Sequence, residues 1–188
     1  MTGPTTSPEF DRTYNGWITP WGDVRIPPEL KALAIGREGQ SSLELGCGLG
    51  RFSRWLAGQG LRATGADFSP VAIGKACARG RGLTGLRYQV SDVTALPDFG
   101  SPFDMAFDVG CFHCLPSEGQ RAHAASLAAH LHPGAPLLIW ALDATPAGQR
   151  PDAASIAKLM GPYFTLQIAK ASRRRLVASH WDHLRRNA

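Results

Sequence analysis

Apolar positions along the chain fall into short runs separated by longer stretches with helical spacing. Leu43 to Gly46, Leu61 to Asp67, Leu86 to Ser91, Phe103 to Val109 and Pro136 to Leu142 are compact apolar runs. Gly, Pro, Asp or Ser bound them, which is the pattern of buried strands. Between them, Arg51 to Gln59 reads as a helix, and Val71, Ile73, Ala76 and Cys77 mark the apolar side of another. Ser69-Pro70 supplies a cap and a first-turn proline for that second helix, and Gly80-Arg81-Gly82 stops it. Ser117 opens a helix that runs to about Leu131 and ends at His132-Pro133-Gly134. Ala153 to Met160 is a short helix, and Phe164 to Ala169 and Leu176 to His183 read as a final antiparallel pair of strands.

Strands alternating with helices predict a parallel sheet with right-handed crossovers. The predicted fold is therefore α/β: a Rossmann-like three-layer sandwich with a seven-stranded, mostly parallel sheet ending in an antiparallel hairpin. Residues 1–40 are different. Pro4, Pro8, Pro20, Pro27 and Pro28 punctuate them, and Tyr14, Trp17 and Trp21 lie between. They read as an N-terminal arm on the core or a lid over a ligand, with a helix at Glu29 to Ile35. Residues 41–188 form the main domain.

Composition narrows the class. A chain of 188 residues fits one domain, and 44% hydrophobic with 19% charged residues is ordinary for a globular protein. No apolar run approaches the roughly 18 residues of a membrane span, so no membrane partner is expected. Met1 to Pro8 is polar, unlike a secretory leader. Cys47, Cys77, Cys111 and Cys114 have neither zinc-ribbon spacing nor disulfide-rich density, so no metal is expected and the expected compartment is the cytoplasm. The net charge of +5 is concentrated in Arg173-Arg174-Arg175 and Arg185-Arg186 near the C-terminus. No interleaved aromatics or nucleic-acid motif accompany these clusters, so solvated strand-end arginines are expected and nucleic acid is not. A monomer or homodimer fits the chain equally.

The segment that carries chemistry is Ser42-Leu43-Glu44-Leu45-Gly46-Cys47-Gly48-Leu49-Gly50, a strand running through a glycine loop into a helix. Such a turn approaches a ligand closely and points backbone N–H groups at it. The dinucleotide pattern G-x-G-x-x-G is not met: from Gly46 it puts Arg51 at the third glycine, and from Gly48 it puts Ser53 there. Asp67, at the end of the second strand in Gly65-Ala66-Asp67-Phe68-Ser69, can accept from two ribose hydroxyls. Asp92-Val93 closes the third strand, and Asp108-Val109-Gly110-Cys111-Phe112-His113-Cys114 closes the fourth. His113 is a candidate general base, since histidine titrates near neutral pH; a structural histidine under the sheet is the plainer reading.

Taken together, Glu44 followed by Gly46-x-Gly48-x-Gly50, then Gly65-Ala66-Asp67-Phe68-Ser69-Pro70 and the Asp108 to His113 segment, resemble class I S-adenosylmethionine (SAM)-dependent methyltransferases. With Tyr14, Thr19-Pro20-Trp21 and Pro27-Pro28-Glu29-Leu30 the chain is similar to their small-molecule group, which includes the thiopurine, thiol, halide and tellurite-resistance enzymes. The resemblance covers nearly the whole chain. It implies SAM as methyl donor and S-adenosylhomocysteine as product. It implies donor contacts at Glu44, Gly46, Cys47, Gly48, Gly50, Asp67, Phe68, Asp92, Val93 and Asp108, with Asp92 accepting from the adenine amino group. Trp17 and Trp21 would offer ring faces to the sulfonium cation. Asp108 and His113 would face donor and acceptor, as catalytic candidates. One departure is Val109, where some members carry an arginine.

The reaction implied is displacement at the methyl carbon by a small thiol, hydroxyl, amine or anion, with a thiol or heterocycle favoured. An ionised thiol needs no base, whereas a hydroxyl would need His113 or Asp108 to take its proton. A SAM-binding protein without methyl transfer is the alternative. A nicotinamide reductase is the weaker one, lacking both the third glycine and a Tyr-x-x-x-Lys pair.

Overall fold

The computed structural model describes residues 6–16, 25–144, 152–174 and 177–188. Its sheet has seven strands in the order β3-β2-β1-β4-β5-β7-β6: β1 (Ser41–Leu45), β2 (Arg62–Asp67), β3 (Leu86–Val90), β4 (Met105–Val109), β5 (Pro136–Leu142), β6 (Phe164–Arg174) and β7 (Val177–Arg186). Strands β1 to β5 pair in parallel, and β7 pairs antiparallel with both β5 and β6. The predicted architecture is borne out. The order reverses between β1 and β4, so their carboxyl ends flank the crevice where ligands bind in open α/β sheets.

Helices cover both faces. On one, Leu56 of α3 (Arg51–Gly58) and Leu30 of α2 (Pro28–Ala34) pack with Met105, Phe107, Leu138 and Trp140. On the other, Ala124 and Leu127 of α5 (Ser117–Ala129) and Ile156 and Met160 of α6 (Ala153–Met160) pack with Ala106, Ile139 and Ala141. These faces alternate along β4 and β5, as a strand buried on both sides requires.

Three boundaries differ from expectation. The hairpin is longer: β6 continues past Ala169 to Arg174, and β7 continues past His183 to Arg186. β6 is an edge strand, and exposed charges there discourage pairing with another chain. Arg186 is not simply solvated. Its Nε donates to the Ala128 carbonyl at 3.0 Å and its Nη1 to the Tyr163 carbonyl at 3.3 Å, tying β7 to α5 and to the turn between α6 and β6. Third, α1 (Ser7–Asn15) lies in what reads as a proline-punctuated arm. Thr6 N–H donates to Glu9 Oε2 at 3.0 Å, one half of a capping box, and Pro8 fits the first turn. The helix α4 (Pro70–Arg79) begins as predicted: Ser69 Oγ accepts from Ala72 N–H at 3.0 Å.

Candidate functional site

The site grows from three glycines. Gly46, Gly48 and Gly50 have φ of 64°, 52° and 67°, the left-handed region that favours glycine. Each also lies where a side chain would collide with another segment. A methyl at Gly46 would overlap Cys111 Cβ and stand 2.9 Å from its Sγ. At Gly48 it would meet the Tyr14 hydroxyl at 2.8 Å, and at Gly50 the Tyr88 ring at 2.5 Å. The loop is therefore a cradle walled by α1, β3 and the turn after β4.

Asp67 fastens this cradle to the end of β2. It is 4% exposed, and each oxygen accepts one backbone N–H: Oδ2 from Gly48 at 2.8 Å and Oδ1 from Ser69 at 2.9 Å. Burial pushes its carboxyl above the ordinary carboxylate range, the two N–H groups oppose this, and the charge of Asp11 adds to it. A carboxylate oxygen has two lone pairs, so each oxygen keeps one for a ligand hydroxyl. Ser91 N–H donates to the Asp67 carbonyl at 2.9 Å, which brings Asp92 and the buried Val93 alongside. Asp92 Oδ1 already holds Thr94 through its N–H and hydroxyl, at 2.8 and 2.7 Å. Phe68 is half-buried, with its ring edge-on to Phe10 of α1 at 5.2 Å, and its carbonyl accepts from Ser7 Oγ. Ser69 Oγ donates to Asp11, so α1 is bound to the same corner.

Two expected ligand contacts are turned inward. Glu44 is 3% exposed, and its Oε2 accepts from Ser53 N–H at 2.8 Å and from the Ser53 hydroxyl. It anchors the first turn of α3 to β1 and presents no oxygen to the crevice. Burial pushes its carboxyl up to about 8, against the Ser53 hydrogen bonds. A raised carboxyl favours the folded state fully below its ordinary 4.5, and that stability is lost as pH rises through about 8. Glu44→Gln keeps an acceptor for Ser53 and cannot ionise. Its Tm should therefore gain on wild type as pH rises from 5 to 9, with a stability slope of up to about 1.4 kcal/mol per pH unit. Parallel Tm curves across that range would show that Glu44 is already ionised in the folded protein and that its carboxyl is not raised.

Asp108 is the second. It has no exposed surface; Oδ1 accepts from Cys111 N–H at 2.8 Å, and both oxygens accept from Phe112 N–H at 3.1 and 3.0 Å. His123 Nε2 of α5, also fully buried, stands 3.5 Å from Oδ2. Asp108 is expected to face donor or acceptor; in the fold its oxygens hold the backbone that turns the chain after β4. His113 sits on the short 3-10 turn this produces (Phe112–Cys114), 7% exposed and edge-on to Trp140 at 5.7 Å. Cys47 and Cys111 line the cradle as thiols, each held above its ordinary value by burial. Trp17 and Trp21 lie outside the described residues.

The motif reading missed residues that need tertiary contact to be found. Tyr88, whose hydroxyl donates to the Gly50 carbonyl at 2.8 Å, has no spacing signal. Neither has His180, between Asp143 and Asp182. Among the described residues no group of three or more His, Cys, Asp or Glu could hold a metal ion, and no helix is long and apolar enough to cross a membrane.

A glycine cradle clasped by a strand-end carboxylate, with no third dinucleotide glycine, fits an adenosyl group better than a dinucleotide. Comparison with known proteins agrees. Residues 43–134 match a family described as methyltransferase domain. A 2-heptyl-1-hydroxyquinolin-4(1H)-one methyltransferase of Mycobacteroides abscessus is 28% identical, with 92% of this chain and 75% of that one covered. Residues 43–134 thus carry a methyltransferase domain. Two solved structures share the fold of this methyltransferase. The N-methyltransferase NodS of Bradyrhizobium japonicum, in complex with S-adenosylhomocysteine, superposes with a TM-score of 0.81 at 18% identity, over 98% of this chain and 100% of that one. A TehB-like SAM-dependent methyltransferase of Corynebacterium glutamicum gives 0.74 at 18% identity, over 96% and 98%. The first of these structures holds S-adenosylhomocysteine, and the second is described as SAM-dependent.

Proposed function

We propose that this methyltransferase acts on a small heterocycle, at an oxygen, nitrogen or sulfur, in a crevice between the glycine cradle and the carboxyl ends of β4 and β5. The observation that carries the donor half is the Asp67–Gly48 clasp, which holds a carboxylate with spare lone pairs against the glycine loop. Asp67 would take the ribose hydroxyls, Gly46 to Gly50 the backbone-facing part of the donor, and Phe68, Asp92 and Val93 its base. Glu44 and Asp108 would be positioning residues, one for α3 and the other for the turn that carries His113.

Bound SAM supplies an electrophilic methyl group on a sulfonium. The protein's task is alignment and exclusion of water, and good alignment is worth roughly 7–11 kcal/mol. Residues 1–40 would act as a lid through α1, which already touches the cradle at Tyr14 and Phe68 through Ser7 and Phe10. His113 and Trp140 would form an apolar wall for a flat acceptor. The likeness to a hydroxyquinolone methyltransferase over most of both chains supports a heterocycle.

The direct test is incubation with isotopically labelled SAM and a panel of aromatic thiols, phenols and N-hydroxy or N–H heterocycles. Methylated product from at least one heterocycle is expected. Tight SAM binding with no product across the panel would favour a SAM-binding protein of another activity. His113→Ala removes part of the wall, so the acceptor KM should rise about tenfold for thiol and hydroxyl acceptors alike, equivalent to about 1.4 kcal/mol. An unchanged KM would take His113 out of the pocket.

A further inference from the structure

A second charged group lies on the same edge of the sheet. Asp143 follows β5 directly, and its N–H donates to the Ala178 carbonyl of β7 at 3.0 Å. Its Oδ1 meets His180 Nδ1 at 2.7 Å. On the other side of the ring, His180 Nε2 stands 3.0 Å from Asp182 Oδ2, an ion-pair approach outside hydrogen-bond angles. Asp182 is fully buried, and among the described residues neither of its oxygens accepts a hydrogen bond. The His180 side chain is 7% exposed and that of Asp143 43%. The three residues thus form a chain from a buried carboxylate, through an imidazole, to a carboxylate in contact with water.

A carboxylate buried without donors is costly unless a cation faces it. Burial alone would push the imidazole of His180 down; its close approach to Asp182 and Asp143 outweighs this, and the net push is upward. Asp152, at the start of α6, also lies within electrostatic reach of this ring, and β6 places Ala171 opposite. His180 thus links the two carboxylates and fixes the orientation of Asp143 through its 2.7 Å hydrogen bond.

The position matters. Val109 pairs with Trp140, and Gly110 N–H donates to the Trp140 carbonyl at 3.2 Å. Asp143 is three residues past Trp140, about 10 Å further along the strand and about 4.8 Å to the side of β4. Asp143 and His113 thus each follow the carboxyl end of a neighbouring strand, β5 and β4; His113 is enclosed beside Trp140, whereas Asp143 is part-exposed.

We propose that Asp143, oriented by His180 and Asp182, receives the proton of an O–H or N–H acceptor during methyl transfer. This rests on the methyl-transfer reading above. The acceptor oxygen or nitrogen forms a bond to the methyl carbon, and the carbon–sulfur bond breaks with its electron pair staying on sulfur. The acceptor proton moves to the Asp143 carboxylate and then to solvent. Asp143 is the catalytic residue, and His180 and Asp182 are positioning residues. The acceptor class that needs this carboxylate is a neutral heterocycle or phenol bearing a hydrogen-bond donor. An inorganic anion would be repelled by it.

The test compares wild type, Asp143→Asn and His180→Gln on a phenolic acceptor and on an acidic aromatic thiol that is already ionised at neutral pH. General base catalysis contributes roughly 10²–10⁴-fold. Asp143→Asn should therefore lose about 100-fold or more in kcat on the phenol, keep kcat on the thiol within about threefold, and bind SAM as wild type does. His180→Gln, if folded, should show the same acceptor dependence with a smaller loss. Asp143 is partly exposed, so its variant tests the idea even if His180→Gln does not fold. Equal effects on both acceptors, or none on the phenol, would overturn the proposal while leaving methyl transfer standing. A wild type that methylates neither acceptor, nor any other in the panel, would overturn both.

Discussion

Gly46→Ala should bind SAM at least tenfold more weakly and melt several degrees below wild type. The backbone at Gly46 has φ of 64°, where an L side chain costs roughly 1–2 kcal/mol. The new methyl would also overlap Cys111 Cβ and stand 2.9 Å from Sγ and 3.6 Å from Cα. Cys111 cannot retreat freely, because its N–H is held by Asp108 Oδ1 at 2.8 Å, and Asp108 is fully buried. Overpacking of this kind costs roughly 1–3 kcal/mol, and each kcal/mol moves Tm by about 2–4 °C in a chain of this size. The strain falls on the contact between the loops after β1 and β4, so donor affinity should suffer with stability. The double variant Gly46→Ala/Cys111→Gly removes the colliding Cβ and should recover part of the Tm, leaving the backbone cost. A double-mutant cycle by calorimetry reads the coupling. Wild-type affinity and Tm in the single variant would mean that the two loops do not touch.

Those two loops also mark how far the sequence carries. The glycine cradle, Asp67 and the succession of strands and helices along the chain are local patterns: apolar runs of the right length, turn residues between them, an acid at a strand end. They are legible because each depends on residues within a few positions of one another. Helix α1 carries a start signal at Thr6, Pro8 and Glu9, but the prolines and aromatics of the same segment hide it, and the segment reads as an arm. Glu44 and Asp108 sit where a ligand contact is expected, and only the folded backbone reveals that Ser53, Cys111 and Phe112 take their oxygens. No spacing distinguishes a carboxylate that faces a crevice from one that turns a chain. The chain of Asp143, His180 and Asp182 is further from reach. It requires the antiparallel register that sets Ala141 opposite His180 and Ile139 opposite Asp182, and that register follows from long-range pairing of β5 with β7. A polar residue at alternate positions of an otherwise apolar strand is a weak sign of such a cluster.

Asp67→Asn should lower SAM affinity on the order of a hundredfold while leaving the protein folded. The native carboxylate accepts from Gly48 N–H at 2.8 Å and from Ser69 N–H at 2.9 Å, and offers one further lone pair on each oxygen. Asparagine has a single acceptor oxygen. Its amide nitrogen would face one of the two N–H groups as donor to donor, and an unsatisfied buried donor costs roughly 1–3 kcal/mol. The ribose would lose a charge-assisted hydrogen bond as well, worth roughly 1.5–3 kcal/mol. A combined loss near 3 kcal/mol on binding is about a hundredfold in Kd. The pH dependence gives a second reading of the same group. Burial holds the Asp67 carboxyl above its ordinary 3.8, so protonation begins at a higher pH than for an exposed aspartate. A protonated Asp67 cannot accept on all four lone pairs, so wild-type SAM affinity should weaken as pH falls through that raised range, and the asparagine variant should lack this acid limb. Titration calorimetry from pH 7 downward reads both. If Asp67→Asn matches wild type at pH 7, or if the acid limb survives the substitution, then Asp67 holds only the loop and the ribose is bound elsewhere.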